Sequence, residues 1–314
     1  MAAQSLTIRD FLDAFWFEGL LAISVGSPAE PKTRYYAKGD VCYVSQETDV
    51  YFGPAMRQTR GSKKTNVLGS KALWVDADDL QRPLFTLPPS AIVCSGGGYH
   101  LYWFLQEPLE DTAQLEALNK LLAEDVPTAD KGAWNCNRVL RVPDTLNTKY
   151  DPPAKVVIES FCPEITYSLD DITILEDLDS KTRHKIRTGD RRGYRSRSER
   201  DWAIIMKLIA AGATDDLIQL IYANQPCGDK SEENPHYLPQ TLEKARDAYV
   251  EPAARGARDK VDAVFGHDDE GYFLATKRGR KQLSTFVIEP RVLLDGSQFD
   301  AEDALVCNVR ASGY

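Results

Sequence analysis

Leu6, Phe11, Leu12, Phe15 and Trp16 recur at the spacing of one helix face, and Ser5 or Thr7 can cap it, so residues 5–22 are expected to be helical. From Val41 to Ile158 the texture changes to short β-branched and aromatic runs broken by Gly, Pro and Asp. These read as strands, with one helical stretch around Leu115–Leu122. Short apolar pieces among acids continue from Ser160 to Leu178. Three amphipathic stretches follow, Ser198–Ala211, Thr214–Ala223 and Pro239–Tyr249, and predict a small helical bundle. Pro252–Lys260 reads as a linker, and Ala263–Val309 returns to strand-like runs, GYFLAT, STFVIEP and ALVCNVRA. The chain stops at Tyr314 directly after such a run, so the natural protein is expected to continue. The pattern predicts an α+β fold: a mixed domain over 1–180, a basic linker over 181–197, a helical module over 198–252, and a β-rich segment over 253–314 that begins a further region. No internal repeat is evident.

With 314 residues and 43% apolar content, the chain can bury a real core, which excludes a disordered protein. Its longest apolar runs, Phe15–Val25 and Ala203–Ala211, fall well short of a membrane span, and the first ten residues lack a secretory pattern. A cytoplasmic protein with no membrane partner is expected. Six cysteines, Cys42, Cys94, Cys136, Cys162, Cys227 and Cys307, are scattered without a CxxC pair and are expected to be reduced thiols. The net charge of −9 argues against a surface that coats nucleic acid indiscriminately. Locally the sign reverses: residues 181–200, KTRHKIRTGDRRGYRSRSER, hold nine Lys or Arg against two acids. Arg191, Arg192, Tyr194 and Arg195 are candidate DNA contacts there, the cations for phosphate and the ring for stacking on a base. A solvated linker accounts for the same composition.

Three motifs carry chemistry. In KALWVDADD, residues 71–79, an apolar run delivers Asp76 and Asp78 two positions apart, which places both carboxylates on one face of a strand. Paired bare acids repel unless a cation lies between them, and oxygen-seeking Mg²⁺ or Mn²⁺ is the usual answer; strand-end acids at a turn are the bland alternative. Asp79 faces the other way. In IVCSGGGYHLYWFL, residues 92–105, a glycine turn joins two strands. Its glycines, Gly97 among them, let main-chain amides approach an anion, and Ser95 with His100 can contact a nucleotide phosphate, unless the turn merely reverses the chain. In ADKGAWNCNRVLRVPDTLNTK, residues 129–149, Asp130 offers a third acid, while Arg138, Arg141 and Lys149 offer cations for a triphosphate or a template backbone. Arg138 and Arg141 lie an odd number apart, so a bulge or turn is needed for them to act together. Arg60, Lys63 and Lys64 in RQTRGSKK are further phosphate candidates on what reads as a surface loop.

The order of these motifs, an hDhD strand, a small-residue turn leading to a histidine, then an acid followed by NRVLRVPDTLNTK, resembles the archaeo-eukaryotic primase superfamily, and more closely its phage and plasmid primase-polymerase branch. The resemblance covers residues 40–150, with a less specific likeness of 198–250 to the helical module that follows such domains. Asp144 stands where related segments often place Gly, and Asp130 lacks a strongly apolar residue before it. The resemblance implies a catalytic core with an RRM-like mixed sheet, and a two-metal site of Mg²⁺ or Mn²⁺ on Asp76, Asp78 and Asp130. It implies a phosphate contact for His100, and triphosphate or template contacts for Arg138, Arg141 and Lys149. The activity implied is template-directed addition of nucleoside triphosphates with release of pyrophosphate in phage or plasmid replication. Its partners would be a single-stranded DNA template and, by analogy, a helicase in cis or in trans. Two other classes are distinguishable. A rolling-circle nicking initiator needs a histidine pair at alternate strand positions, where only His100 is offered; a non-catalytic DNA-binding replication adaptor would use the acids structurally.

Overall fold

In the computed structural model, residues 7–26, 31–40, 42, 44 and 48–249 are described, together with the backbone of five strands between 263 and 311. The chain divides into two compact units, 1–249 and 250–314.

The first unit starts with α1 (Ile8–Asp13), capped by Thr7, whose hydroxyl accepts from the Asp10 N–H while the Asp10 carboxylate accepts from the Thr7 N–H. Ser5 lies outside the described residues. The helix expected over 5–22 ends here. Gly19, at φ +75°, turns the chain against the Arg57 carbonyl, and β1 (Leu20–Val25) begins at once. Leu21 and Ile23, two positions apart and both buried, have the alternate spacing of a strand.

There follow β2 (Lys32–Ala37), β3 (Val50–Phe52), β4 (Met56–Arg57), β5 (Val67–Ala77), β6 (Ala91–Cys94) and β7 (Tyr99–Leu109). After α2 (Thr112–Asp125) come β8 (Leu140–Arg141), β9 (Leu146–Asn147), β10 (Ala154–Lys155), β11 (Val157–Phe161) and β12 (Thr166–Tyr167). One large sheet runs β11-β6-β7-β5-β4-β1-β3-β8, with β2 added on β1 and β12 on β7. Its pairings are antiparallel except β12 with β7. Central β5 is buried throughout Ala72–Val75, so both its faces are covered, which is why it reads as a continuous apolar run. Against it lies α2, whose Asn119 accepts from the Trp74 N–H at 3.0 Å. Elsewhere in the core, Phe15 packs its ring 5.0 Å from both Phe52 and Tyr102 and 5.1 Å from Phe104.

The α+β class stands, with a large, mostly antiparallel sheet. Its helical part is more extensive than expected. A capping box of Ser168 and Asp171 starts α3 (Leu169–Asp177), in a tract that reads only as scattered apolar pieces. Residues 181–197, expected as a linker, begin as α4 (Ser180–Thr188), closed by Gly189 in the left-handed conformation. Ile186 is buried, and the C-terminus of α2 holds the helix down. There Asp125, itself buried, accepts from the Thr86 N–H at 2.7 Å and hydroxyl at 2.8 Å, and from Arg187 at 3.2 Å. Then come α5 (Arg197–Ala210), α6 (Asp215–Asn224), α7 (Asp229–Glu233) and α8 (Tyr237–Ala248). Adjacent and buried, Arg200 and Asp201 form an ion pair at 2.7 Å, and Asp229 and Tyr237 bond to it at 2.7 and 3.0 Å. No helix among the described residues is long and apolar enough to cross a membrane.

The second unit contains β13 (Ala263–Asp268), β14 (Gly271–Thr276) and β15 (Gly279–Gln282) as one antiparallel sheet. A separate antiparallel pair is formed by β16 (Phe286–Leu294) and β17 (Ala304–Ala311). The side chain of Cys307 lies outside the described residues; the other five cysteines are free thiols.

Candidate functional site

The β5–β7 register sets Asp76 opposite His100 and Ala77 opposite Tyr99, so the first motif's acids and the second motif's histidine meet at one end of the sheet. Asp78 is the first residue beyond β5. The glycine turn is a tight hairpin in which Cys94 pairs with Tyr99 and the Ser95 N–H donates to the Gly98 carbonyl at 2.8 Å. Gly98 leaves room for β5: a Cβ there would lie 2.1 Å from the Ala77 carbonyl oxygen. A Cβ on Gly97 would instead meet the Tyr150 hydroxyl at 2.0 Å, the end of an exposed side chain that can swing away. Gly98→Ala is therefore expected to cost about 1–3 kcal/mol and to shift Asp78, whereas Gly97→Ala keeps the wild-type melting temperature. Thermal unfolding of the two variants side by side checks the contrast.

Backbone pairing brings in the third acid. Ala129 bridges Ala77, and the Asp130 N–H donates to the Asp76 carbonyl at 2.7 Å. One Asp130 oxygen then accepts from the Gly132 N–H at 2.8 Å. Nη2 of Arg138 lies 2.8 Å from Asp76 Oδ2 and 3.5 Å from Asp130 Oδ2, a guanidinium shared by the two carboxylates. Nε2 of His100 is 3.6 Å from Asp76 Oδ1, too long for a hydrogen bond. His100 is 4% exposed, and burial lowers its pKa against the opposing pull of Asp76, which favours a neutral imidazole. Its Nδ1 has no partner. Desolvation raises the pKa of Asp78, with Asp76 and then Asp130 adding to the effect while Lys149 and Arg138 oppose it. The three acids thus share one electrostatic neighbourhood. Among the described residues, however, no group of three or more His, Cys, Asp or Glu is gathered so as to hold a metal ion.

A cavity of ≈ 350 Å³ opens beside these groups. Asp76, Asp78 and His100 line it, as do Ser95 and Gly97 of the turn and the cations Arg138, Arg141 and Lys149. Asp130 is not in its wall, though its carboxylate lies 3.5 Å from the Arg138 guanidinium, which is. The odd spacing of the two arginines is resolved by a turn: the Arg138 N–H donates to the Asn135 carbonyl at 3.0 Å and β8 is only two residues long, so both side chains reach the same space. Asn147, which also lines the cavity, fixes the turn by donating to the Ser95 carbonyl at 2.8 Å. Asp144 takes φ 62°, the left-handed conformation, and no other non-glycine among the described residues has a positive φ.

Sequence reasoning missed Tyr51, which lines the cavity from β3, and Asp49, which bonds Arg141 from behind. Neither belongs to a motif, and their neighbours arrive from about ninety residues downstream. Other candidates lie elsewhere. Arg191, Arg192, Tyr194 and Arg195 do not line the cavity; Arg192 pairs with Asp190 at 2.9 Å, and Lys185 lies 4.7 Å over the Tyr194 ring. Lys64 pairs with Glu116 at 2.6 Å, while Arg60 and Lys63 are exposed. No second histidine lines the cavity. A larger cavity, ≈ 890 Å³, opens between α1 and β11; of the motif residues only Pro143 and Asp144 line it, and none of the candidate acids, His100 or cations does.

No family model matches the chain, and no curated protein matches it. Among solved structures it is similar to the AEP domain of the primase-polymerase of cyanophage S-2L, at 16% identity over 50% of this chain and 92% of that one, with a TM-score of 0.37. It is also similar to the primase RepB′, at 14% identity over 76% of this chain and 92% of that one, with a TM-score of 0.36. Overlaps this loose leave the functional reading to the residues of the cavity.

Proposed function

We propose that the chain is a nucleotidyltransferase of the primase-polymerase kind, adding nucleotides from nucleoside triphosphates to a 3′-hydroxyl on a single-stranded DNA template. One observation carries the reading: three motifs from separate stretches of chain deliver an acid pair, a buried histidine and three cations to the walls of a single cavity.

The acids suit a divalent metal in kind, being hard oxygen donors, and the guanidinium between Asp76 and Asp130 marks a place where positive charge is needed. Asp76 and Asp78, which line the cavity, would hold Mg²⁺ or Mn²⁺, with Asp130, not gathered with them here, as the third donor; when bound, the metal would lower the pKa of the attacking hydroxyl and steady the leaving pyrophosphate. Arg138, Arg141 and Lys149 would take the triphosphate, stabilising the charge that grows on it as the bond forms. His100, neutral and buried, would donate a hydrogen bond to a phosphate oxygen from a fixed position, with the Ser95–Gly97 turn beside it. Template contacts are assigned to the exposed cations around Arg191, Arg192 and Arg195.

A second reading has its own support. With Arg138 already neutralising Asp76 and Asp130, the acids could serve a structural ion-pair network in a DNA-binding adaptor. Labelled nucleotide supplied with Mg²⁺ or Mn²⁺ on primed and unprimed single-stranded templates separates the two. Incorporation that depends on Asp76 supports the enzyme; DNA binding with no incorporation supports the adaptor.

A further inference from the structure

We infer that Asp49 is a positioning residue for the triphosphate side of the cavity, fixing Arg141 and the Thr148–Lys149 segment together; this rests on the nucleotide-binding role proposed for those cations. Asp49 directly precedes β3, is 6% exposed, and its carboxylate faces two elements that lie far along the chain. Oδ1 accepts from Arg141 Nη1 and, at 3.2 Å, from the Thr148 N–H; Oδ2 accepts from the Thr148 hydroxyl. Desolvation pushes its pKa up, yet these bonds outweigh that and hold it below the usual carboxylate value. The arginine is pinned from a second direction, because its guanidinium lies 4.8 Å over the ring of Tyr51, its partner in the β3–β8 register.

An arginine carries five N–H donors in a rigid fork, so one bond to Asp49 leaves donors for an anion while removing the freedom to swing. Donors already aimed need no reorganisation when a triphosphate arrives, and that is where their contribution is largest. The same carboxylate holds Thr148, whose neighbour Lys149 lines the cavity. One buried acid thereby ties together the two segments that carry Arg141 and Lys149.

The test uses the full chain with Asp49→Asn, which keeps size and removes charge. Magnesium-dependent binding of an α,β-imido deoxynucleoside triphosphate is measured by calorimetry, beside the KM and kcat of incorporation. Losing a charge-assisted bond is expected to raise Kd and KM by about 10-fold or more, with kcat changed much less. In an Arg141→Gln background the same change should add little, because Asp49 acts through Arg141. Thr148→Val, which removes only the hydroxyl donor, gives the second arm if Asp49→Asn fails to fold, and should raise Kd by a smaller factor. Unchanged Kd and KM in a folded variant overturn the inference, as do Asp49 and Arg141 effects that simply multiply. Wild-type protein that binds nucleotide without incorporating it sinks the polymerase reading while Kd still tests Asp49; failure to bind nucleotide at all sinks both.

Discussion

Asp76→Ala is expected to reduce nucleotide incorporation by at least about 10²–10³-fold, the size of effect seen when one preorganised charge-stabilising group is lost. The protein should stay folded, because Asp76 is only partly buried, at the end of a strand whose Ala72–Val75 core is untouched. Arg138 keeps Asp130 as a partner, so no cation is stranded. Asp79→Ala supplies the control. That side chain is exposed and accepts only from the Gln81 N–H at 2.9 Å, so activity should match wild type. Primer extension with Mn²⁺ measures both, and an Asp76→Ala protein that still extends primers would remove the acids from the chemistry.

Asp125→Ala is expected to lower stability by about 3–5 kcal/mol, the usual result of taking one partner from a buried ion pair. Arg187, whose side chain is 13% exposed, would then lie against the end of α2 without its carboxylate, and the Thr86 amide and hydroxyl would lose their acceptor. For a unit of this size the melting temperature should fall by roughly 10 °C. Asp125→Asn, which can still accept from Thr86, should fall less. A melting curve unmoved by Asp125→Ala would mean that α4 is held by its apolar face alone.

How much of this was legible depends on the range of the interaction. Periodicity placed α5, α6 and α8 within about two residues of their observed ends, although the cap of α5 is Ser196 rather than Ser198 and α8 starts without a side-chain cap; Thr214 caps α6. The strands of the first two motifs were equally readable, because alternate positions fix which residues share a face. Residues 5–22 misled, since the apolar run continues past the end of α1, and only pairing of Leu21 and Ile23 with β2, and of Ile23 with β3, makes it a strand. The basic tract hid α4: its local signals, the Asp179 cap and the closing Gly189, sit in a run of charges, and Asp125, which holds Arg187, lies 62 residues earlier. Motif spacing indicated three acids but not the cation among them: that Arg138 spans Asp76 and Asp130 depends on the Ala77–Ala129 bridge, a pairing with no local signature. Asp49 and Tyr51 were invisible for the same reason.

The left-handed backbone at Asp144 bears on how the third motif is to be recognised. A side chain there costs roughly 1–2 kcal/mol, which glycine would avoid, but glycine brings back about 0.5–1 kcal/mol of chain entropy. It would also remove the carboxylate that meets Lys155 at 2.9 Å. The two choices nearly balance, and aspartate tolerates this conformation better than most residues. What the position preserves is a bend of the main chain, for which glycine and aspartate are alternative spellings.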